Sequence, residues 1–118
     1  MSLIYKILPR AAWAQAVSRG RFEGSPVDLQ DGYIHFSTAA QAQETAAKHF
    51  RGQADLVLVA VEAEMLGAAL RWEPSRGGQL FPHLYGSLDP ALAKGVADAP
   101  LGADGVPELG ALAPEDMA

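Results

Sequence analysis

Two histidines stand inside strand-like runs with other polar side chains two residues away. The first run is Asp31-Gly-Tyr-Ile-His-Phe-Ser-Thr38, and the second is Phe81-Pro-His-Leu-Tyr-Gly86. A strand sends successive side chains to opposite faces. Tyr33, His35 and Ser37 therefore share one face, and His83 shares one with Tyr85. A third run, Leu70-Arg-Trp-Glu73, puts Arg71 and Glu73 together. If the three polar faces point the same way, they gather two imidazoles, a carboxylate, a guanidinium and tyrosine rings, with Asp31 and Arg76 on flanking turns. Histidine exchanges a proton near neutral pH, and a partly buried glutamate can act as a base or orient a sugar hydroxyl. A tyrosine ring offers a flat apolar wall with a hydrogen-bonding tip.

One face of an antiparallel sheet is often simply solvated. Two histidines in register on separate strands, beside a carboxylate and tyrosines, point instead to one site. Three chemistries could use it. A metal would take His35, His83 and Glu73, but no close-spaced HxH or HxxxH pair occurs, so none is expected. A two-histidine phosphoesterase would use paired His-x-Ser/Thr strands. His35-Phe36-Ser37 fits that pattern, and His83-Leu84-Tyr85 lacks the hydroxyl amino acid in third place. The third option is a nicotinamide dinucleotide site.

The elements that must position these residues are readable in part. Leu3–Leu8 reads as a strand ending at Pro9, and Arg10–Arg19 as a helix with Trp13 and Val17 on one face and Gly20 just past its end. Gly24, Ser25 and Pro26 read as loop. Thr38 reads as an N-cap with Gln41 completing a capping box. Ala42, Ala46 and Phe50 form the apolar stripe that follows, and Lys48, His49 and Arg51 suit the negative end of that helix. Its first turn, beside Ser37, could hold an anion. Leu56–Val61 reads as a central strand buried on both faces. Leu70–Glu73 and Phe81–Gly86 are strands joined by the Pro74–Gly78 turn. Ala91–Val96 reads as a short helix, and Trp13, Trp72 and Phe50 as core. The last three strands lie too close together for helical crossovers, so they are antiparallel or mixed. The fold class is α+β, with one domain over residues 1–95 and a weakly ordered tail over 96–118.

Composition narrows the function. A chain of 118 residues buries roughly 65% of its unfolded surface, enough for a core without staples. It has no cysteine, hence no disulfide and no thiolate metal site. The net charge is −5 and the nine basic residues form no run, which argues against broad nucleic-acid binding. No apolar run reaches the ~18 residues of a spanning helix, and the opening Met-Ser-Leu-Ile-Tyr-Lys lacks the layout of a secretory signal. The expectation is a soluble cytoplasmic protein.

The two histidine segments, Arg71-Trp-Glu73, Ile4-Tyr5-Lys6-Ile7, Trp13 and Leu56-Val57-Leu58 together resemble the bacterial domain-of-unknown-function 952 family, over about residues 3 to 90. The resemblance implies the ADP-ribosylation fold of ADP-ribosyltransferases and RNA 2′-phosphotransferases, a split mixed sheet with a cleft for NAD. It also implies residue roles. His35 with Ser37 resembles the transferase histidine and its nearby hydroxyl, and these would position a ribose. Tyr85 would stack on a planar base, and Glu73 would bind a sugar hydroxyl or stabilise positive charge at the ribose carbon. Arg71, Arg76 or the helix terminus at Thr38 would meet phosphate, with Tyr33 as a packing or ligand-facing ring. Glu73 precedes Tyr85 here, whereas the transferase order puts its glutamate last. The expected function is an enzyme acting on NAD, ADP-ribose or a related nucleotide, with no metal. The alternatives are a non-catalytic domain that binds a small ligand or a protein, and the two-histidine phosphoesterase.

Overall fold

The computed structural model describes residues 2–109. In chain order the elements are β1 (Leu3–Pro9), α1 (Arg10–Arg19), α2 (Pro26–Asp31), β2 (Ile34–His35), β3 (Ser37–Thr38), α3 (Ala42–His49), β4 (Leu56–Glu62), a 3-10 stretch (Ala63–Ala69), β5 (Leu70–Pro74), β6 (Leu80–Leu84) and β7 (Ala93–Ala99). They build two sheets, with strand orders β3-β1-β4-β7 and β2-β6-β5. Every pairing is antiparallel. The architecture is α+β, as the strand spacing implied.

The apolar alternation of β1 and β4 explains the layers. Ile4 and Leu8 with Val57, Val59 and Val61 face the second sheet, where they meet Ile34, Leu84, Phe22 and Leu88. Tyr5 and Ile7 with Leu56, Leu58 and Ala60 face the other way, onto Ala42 and Ala46 of α3. Leu56–Val61 is buried throughout, as an unbroken β-branched run at the sheet centre requires.

Residues 34–38 join the two layers. Ile34–His35 pairs with β6, Phe36 donates its amide to Pro82 O at 3.0 Å, and Ser37–Thr38 pairs with β1. The chain thus leaves one sheet and enters the other within five residues. Pairing with β3 reaches only Ile4 and Tyr5 of β1. Past Tyr5 that edge of β1 has no strand beside it among the described residues.

Several local expectations are corrected. The Ser25-Pro26 region is helical: Ser25 and Asp28 form a capping box that starts α2, with Pro26 in its first turn. That is the position where a missing N–H costs nothing. Helix α3 begins at Ala42, and Thr38 belongs to β3 instead of capping it. Gln41 still reaches back, its Oε1 accepting the Thr38 amide at 3.0 Å. On α1 the inward face is Ala12, Trp13 and Ala16, while Val17 is exposed. Ala91–Val96 is not one helix: Pro90–Leu92 is a single 3-10 turn, and Ala93–Ala99 pairs with β4 along most of its length. The boundary expected at residue 95 falls inside this strand, and Val106 and Leu109 pack into the α3 core. Residues 110–118 of the expected tail lie outside the described residues. Trp72 is 43% exposed on the sheet-edge strand β5 and is not core. Among the described residues no helix is long and apolar enough to cross a membrane.

Candidate functional site

The β2–β6 register sets His35 directly opposite His83, and the β5–β6 register sets Arg71 beside His83. Directly opposed residues share a face. Ile34, Leu84 and Leu70, one residue away in each strand, pack with the inner core. The histidines therefore project from the other side of that sheet, with ring centroids 5.5 Å apart and nearly perpendicular planes.

Each imidazole is held by a carboxylate on Nδ1, and the two carboxylates differ. His83 Nδ1 lies 2.8 Å from Glu73 Oε1, and Tyr85 Oη donates to the same oxygen at 2.8 Å. These two bonds, His83 first, hold the Glu73 carboxyl below its ordinary range. Donation to Glu73, with burial, raises the Tyr85 phenol. Both effects keep Glu73 ionised and Tyr85 protonated at neutral pH. Tyr33 stacks on His83 at 4.1 Å and touches His35 at 4.7 Å and Tyr85 at 5.2 Å. Its phenol is raised by burial and by the charges of Asp31 and Glu73. The Arg71 guanidinium lies over the Tyr85 ring at 4.9 Å, within cation–π range. Tyr33, His83, Glu73, Tyr85 and Arg71 form one continuous group.

His35 belongs to a second network that is buried at its base. Its Nδ1 lies 2.6 Å and its backbone amide 3.1 Å from Asp28 Oδ1. Asp28 Oδ2 also accepts the Ser25 amide at 2.8 Å and pairs with Lys6 Nζ at 2.8 Å. Asp28 is 1% exposed and Lys6 6%. Burial pushes the Asp28 carboxyl up, but the bond from His35, the charge and bond of Lys6 and the Ser25 amide outweigh it. The net position is about 2. Burial pulls the Lys6 ammonium below its usual range, against the opposing pull of Asp28. The other ring nitrogen, His35 Nε2, lies 3.0 Å from Asp31 Oδ2. Both imidazole nitrogens thus face carboxylate oxygens, and both must donate for both contacts to be hydrogen bonds.

A cleft of about 630 Å³ opens beside β1, against Tyr5, Lys6, Ile7 and Pro9. Asp31, His35, Ser37 and His83 line it on one side, and Thr45, His49 and Phe50 of α3 and its exit line the other. His83 is only 3% exposed. Its Nε2 has no partner among the described residues, and the side chain lines the cleft. The Ser37 hydroxyl is engaged with the Thr45 hydroxyl at 2.8 Å.

The structure thus brings His35, His83 and Ser37 to the cleft. It sets Tyr33, Glu73, Tyr85 and Arg71 behind or beside His83, and leaves Thr38 off the lining. Arg76 sits in the short turn Arg76–Gly78. Of the residues at the cleft, Thr45 stands mid-helix and His49 and Phe50 at the C-terminal end of α3, so the cleft meets the helix past its first three residues and at its carbonyl end. That end carries partial negative charge, and an anion at the first turn near Thr38 would sit elsewhere. Among the described residues no group of three or more His, Asp or Glu side chains is arranged to hold a metal ion.

The chain matches, over residues 7–96, the family described as "Protein of unknown function (DUF952)". It belongs to the DUF952 family. Its fold is shared with Protein CC0527 from Caulobacter crescentus. The crystal structure of that protein is 64% identical, with a TM-score of 0.90, covering 92% of this chain and 96% of that one. The solution NMR structure of CC0527 is also 64% identical, with a TM-score of 0.83 over 93% of this chain and 95% of that one. A double mutant of CC0527 matches at 62% identity and a TM-score of 0.90, covering 92% of this chain and 96% of that one. No curated protein matches the chain.

In this DUF952 domain the residues that sequence reasoning missed are Lys6 and Asp28. Lys6 alternates with Ile4 and Leu8, so it faces the same apolar interior. A lysine on such a face needs a carboxylate partner. Asp28 stands three residues after Ser25, the spacing of a capping box, and that spacing was the readable sign of a helix start.

Proposed function

We propose that the domain is an enzyme that binds NAD, ADP-ribose or a related nucleotide in the cleft and uses His83 for proton transfer. The observation that carries this reading is the Glu73–His83 pair. A carboxylate on Nδ1 fixes the imidazole orientation, while Nε2 has no partner among the described residues on a side chain that lines the cleft. That is the geometry of an oriented general base. Tyr33 and Tyr85 extend the same group as an aromatic wall. In NAD the step would be displacement at the ribose carbon. An attacking water or hydroxyl gives its proton to His83 Nε2, a C–O bond forms, the C–N bond breaks and neutral nicotinamide leaves. Glu73, committed to His83 and Tyr85, acts here by orienting the base.

Phosphoester hydrolysis through both imidazoles has less support. The rings are close enough at 5.5 Å, but both nitrogens of His35 already face protein carboxylates.

Calorimetric titration with NAD, ADP-ribose and nicotinamide, followed by an assay for nicotinamide release, tests the reading. The wild type is expected to bind at least one of the three. His83→Gln is expected to stay folded and lose about 100-fold or more of any release rate. Absence of binding by all three to the wild type would refute the nucleotide assignment. An unchanged rate in folded His83→Gln would refute the role of the base.

A further inference from the structure

The two carboxylates on His35 are unequal. Asp28 is buried and engaged by Lys6, the Ser25 amide and the His35 amide as well as Nδ1. Asp31 has a side chain 40% exposed, at the end of α2, and its one ion pair among the described residues is with His35 Nε2. Gly32 follows in the left-handed region at φ 89, so the chain turns sharply there and brings Asp31 back over the ring four residues on. Asp31 and His35 both line the cleft. A carboxylate oxygen of the protein thus sits at the cleft-facing donor of His35.

We propose that His35 Nε2 is an oxyanion subsite of the cleft, held closed by Asp31, and that a carboxylate or phosphate group of the ligand displaces Asp31 to bind there. The inference rests on the cleft being a ligand site, and not on the ligand being a nucleotide. Chemistry supports it on three counts. The donor is already presented to an oxyanion at hydrogen-bond distance, 3.0 Å. The displaced group can move into solvent without leaving a buried charge unpaired, because Asp28 keeps its own partners. Once Asp31 has moved away, the hydrogen-bond site at Nε2 is left for an incoming oxyanion on the cleft side, while Asp28 stays committed to Lys6, the Ser25 amide and the other side of His35. Charge-assisted bonds of this kind are among the stronger polar contacts. In this arrangement the subsite selects ligands by an anionic group, and Asp31 sets the threshold for their entry.

The test uses the full chain with nitrogen-15-labelled histidines, titrated with inorganic phosphate and, separately, with acetate. Wild type, Asp31→Asn, Asp31→Ala and the double variant Asp31→Asn/His35→Gln are compared, with thermal melting as a check on folding. In Asp31→Asn and Asp31→Ala at least one anion is expected to bind about tenfold more tightly than to wild type, with the His35 Nε2 signal moving on binding. The tighter anion identifies the class of ligand group. The double variant is expected to lose the gain. No gain in either Asp31 variant, or a gain that survives loss of His35, would overturn the proposal. Neither probe carries a base or a ribose, so failure of the nucleotide reading leaves this result interpretable.

Discussion

Replacing Asp28 by asparagine is the sharpest test of the network beneath His35. The substitution keeps the shape and one acceptor oxygen, and it removes the charge. The Ser25 and His35 amides bond to different Asp28 oxygens, so only one of them keeps an acceptor. Lys6 Nζ, now 2.8 Å from one carboxylate oxygen and 3.1 Å from the other, loses its counter-ion in a site where it is 6% exposed. Removing one partner of a buried pair costs about 3–5 kcal/mol, because an unpaired charge remains. Against a total of ~5–15 kcal/mol for a domain, the loss is severe. Urea unfolding at pH 7 measures it. Adding Lys6→Met in the same chain removes the orphaned charge and is expected to restore most of the loss. The acid limb gives an independent reading. In the wild type the Asp28 carboxyl stands at about 2 instead of the usual 3.8. Its folded value is depressed, so its contribution is fully present above 3.8 and is lost as pH falls towards 2. The shift corresponds to about 2.5 kcal/mol. Asp28→Asn should lack this segment of the curve. On the alkaline side the sign reverses in origin. Lys6 is depressed in the folded state, and without Asp28 the opposing pull disappears. The unfolded chain then binds more protons, so the variant's deficit shrinks as pH rises from 7 towards 10. A variant within 1 kcal/mol of wild type, about a fivefold change in the folding constant, or with an unchanged acid limb between pH 4 and 2, would refute the reasoning.

Two smaller perturbations follow from other polar atoms. Tyr5 Oη is fully buried with no partner among the described residues, and burial raises its phenol. Tyr5→Phe is therefore expected to leave stability unchanged or raise it by up to ~1 kcal/mol, read by chemical denaturation, and a loss above that size would show that the hydroxyl is satisfied. Tyr85→Phe removes one of the two donors on Glu73 Oε1. The Glu73 carboxyl is expected to rise towards its ordinary value, followed by carbon-13 NMR titration of the glutamate carboxyls, and an unmoved Glu73 would mean that His83 alone holds it.

Much of the frame was legible because it repeats. The β-branched run at 56–61 and the helix at 10–19 each carry a period long enough to read. Helix α2 does not: it has six residues, fewer than two turns, and only the Ser25–Asp28 spacing marks it. Strand β7 was misread for a different reason. Ala-Lys-Gly-Val-Ala-Asp-Ala has the alanine content of a helix, and pairing with β4 overrides that preference. The face shared by His35 and His83 was readable, since a strand period of two leaves no freedom once the register is set. The carboxylate on each imidazole was not equally so. Glu73 lies two strand positions from Arg71 on the same face and was in view. Asp28 meets His35 from the preceding helix, seven residues away in sequence, and its charge partner Lys6 is 22 residues away, a range that no local pattern announces.

The buried Lys6–Asp28 pair needs a reason other than stability. Replacing such pairs by apolar residues of similar size is often neutral or stabilising. What an apolar pair could not do is hold His35. Asp28 binds the ring nitrogen and the backbone amide of the same residue, and ties both to β1 and to the start of α2. The imidazole is fixed at two points, at the spot where the chain passes from one sheet to the other. Glu73 does the corresponding work for His83 from a side chain that is one-third exposed. The two histidines therefore differ in kind although they face one another. His35 is clamped from below and capped by Asp31 from above, which suits a binding contact that opens and closes. His83 is oriented from one side, with no partner on its second nitrogen among the described residues, which suits a group that gains and loses a proton. A single surface serving only as a docking face would not require both arrangements. Two carboxylate–imidazole pairs with unequal caps, set side by side at the floor of one cleft, are better matched to a ligand that is held at one end and transformed at the other.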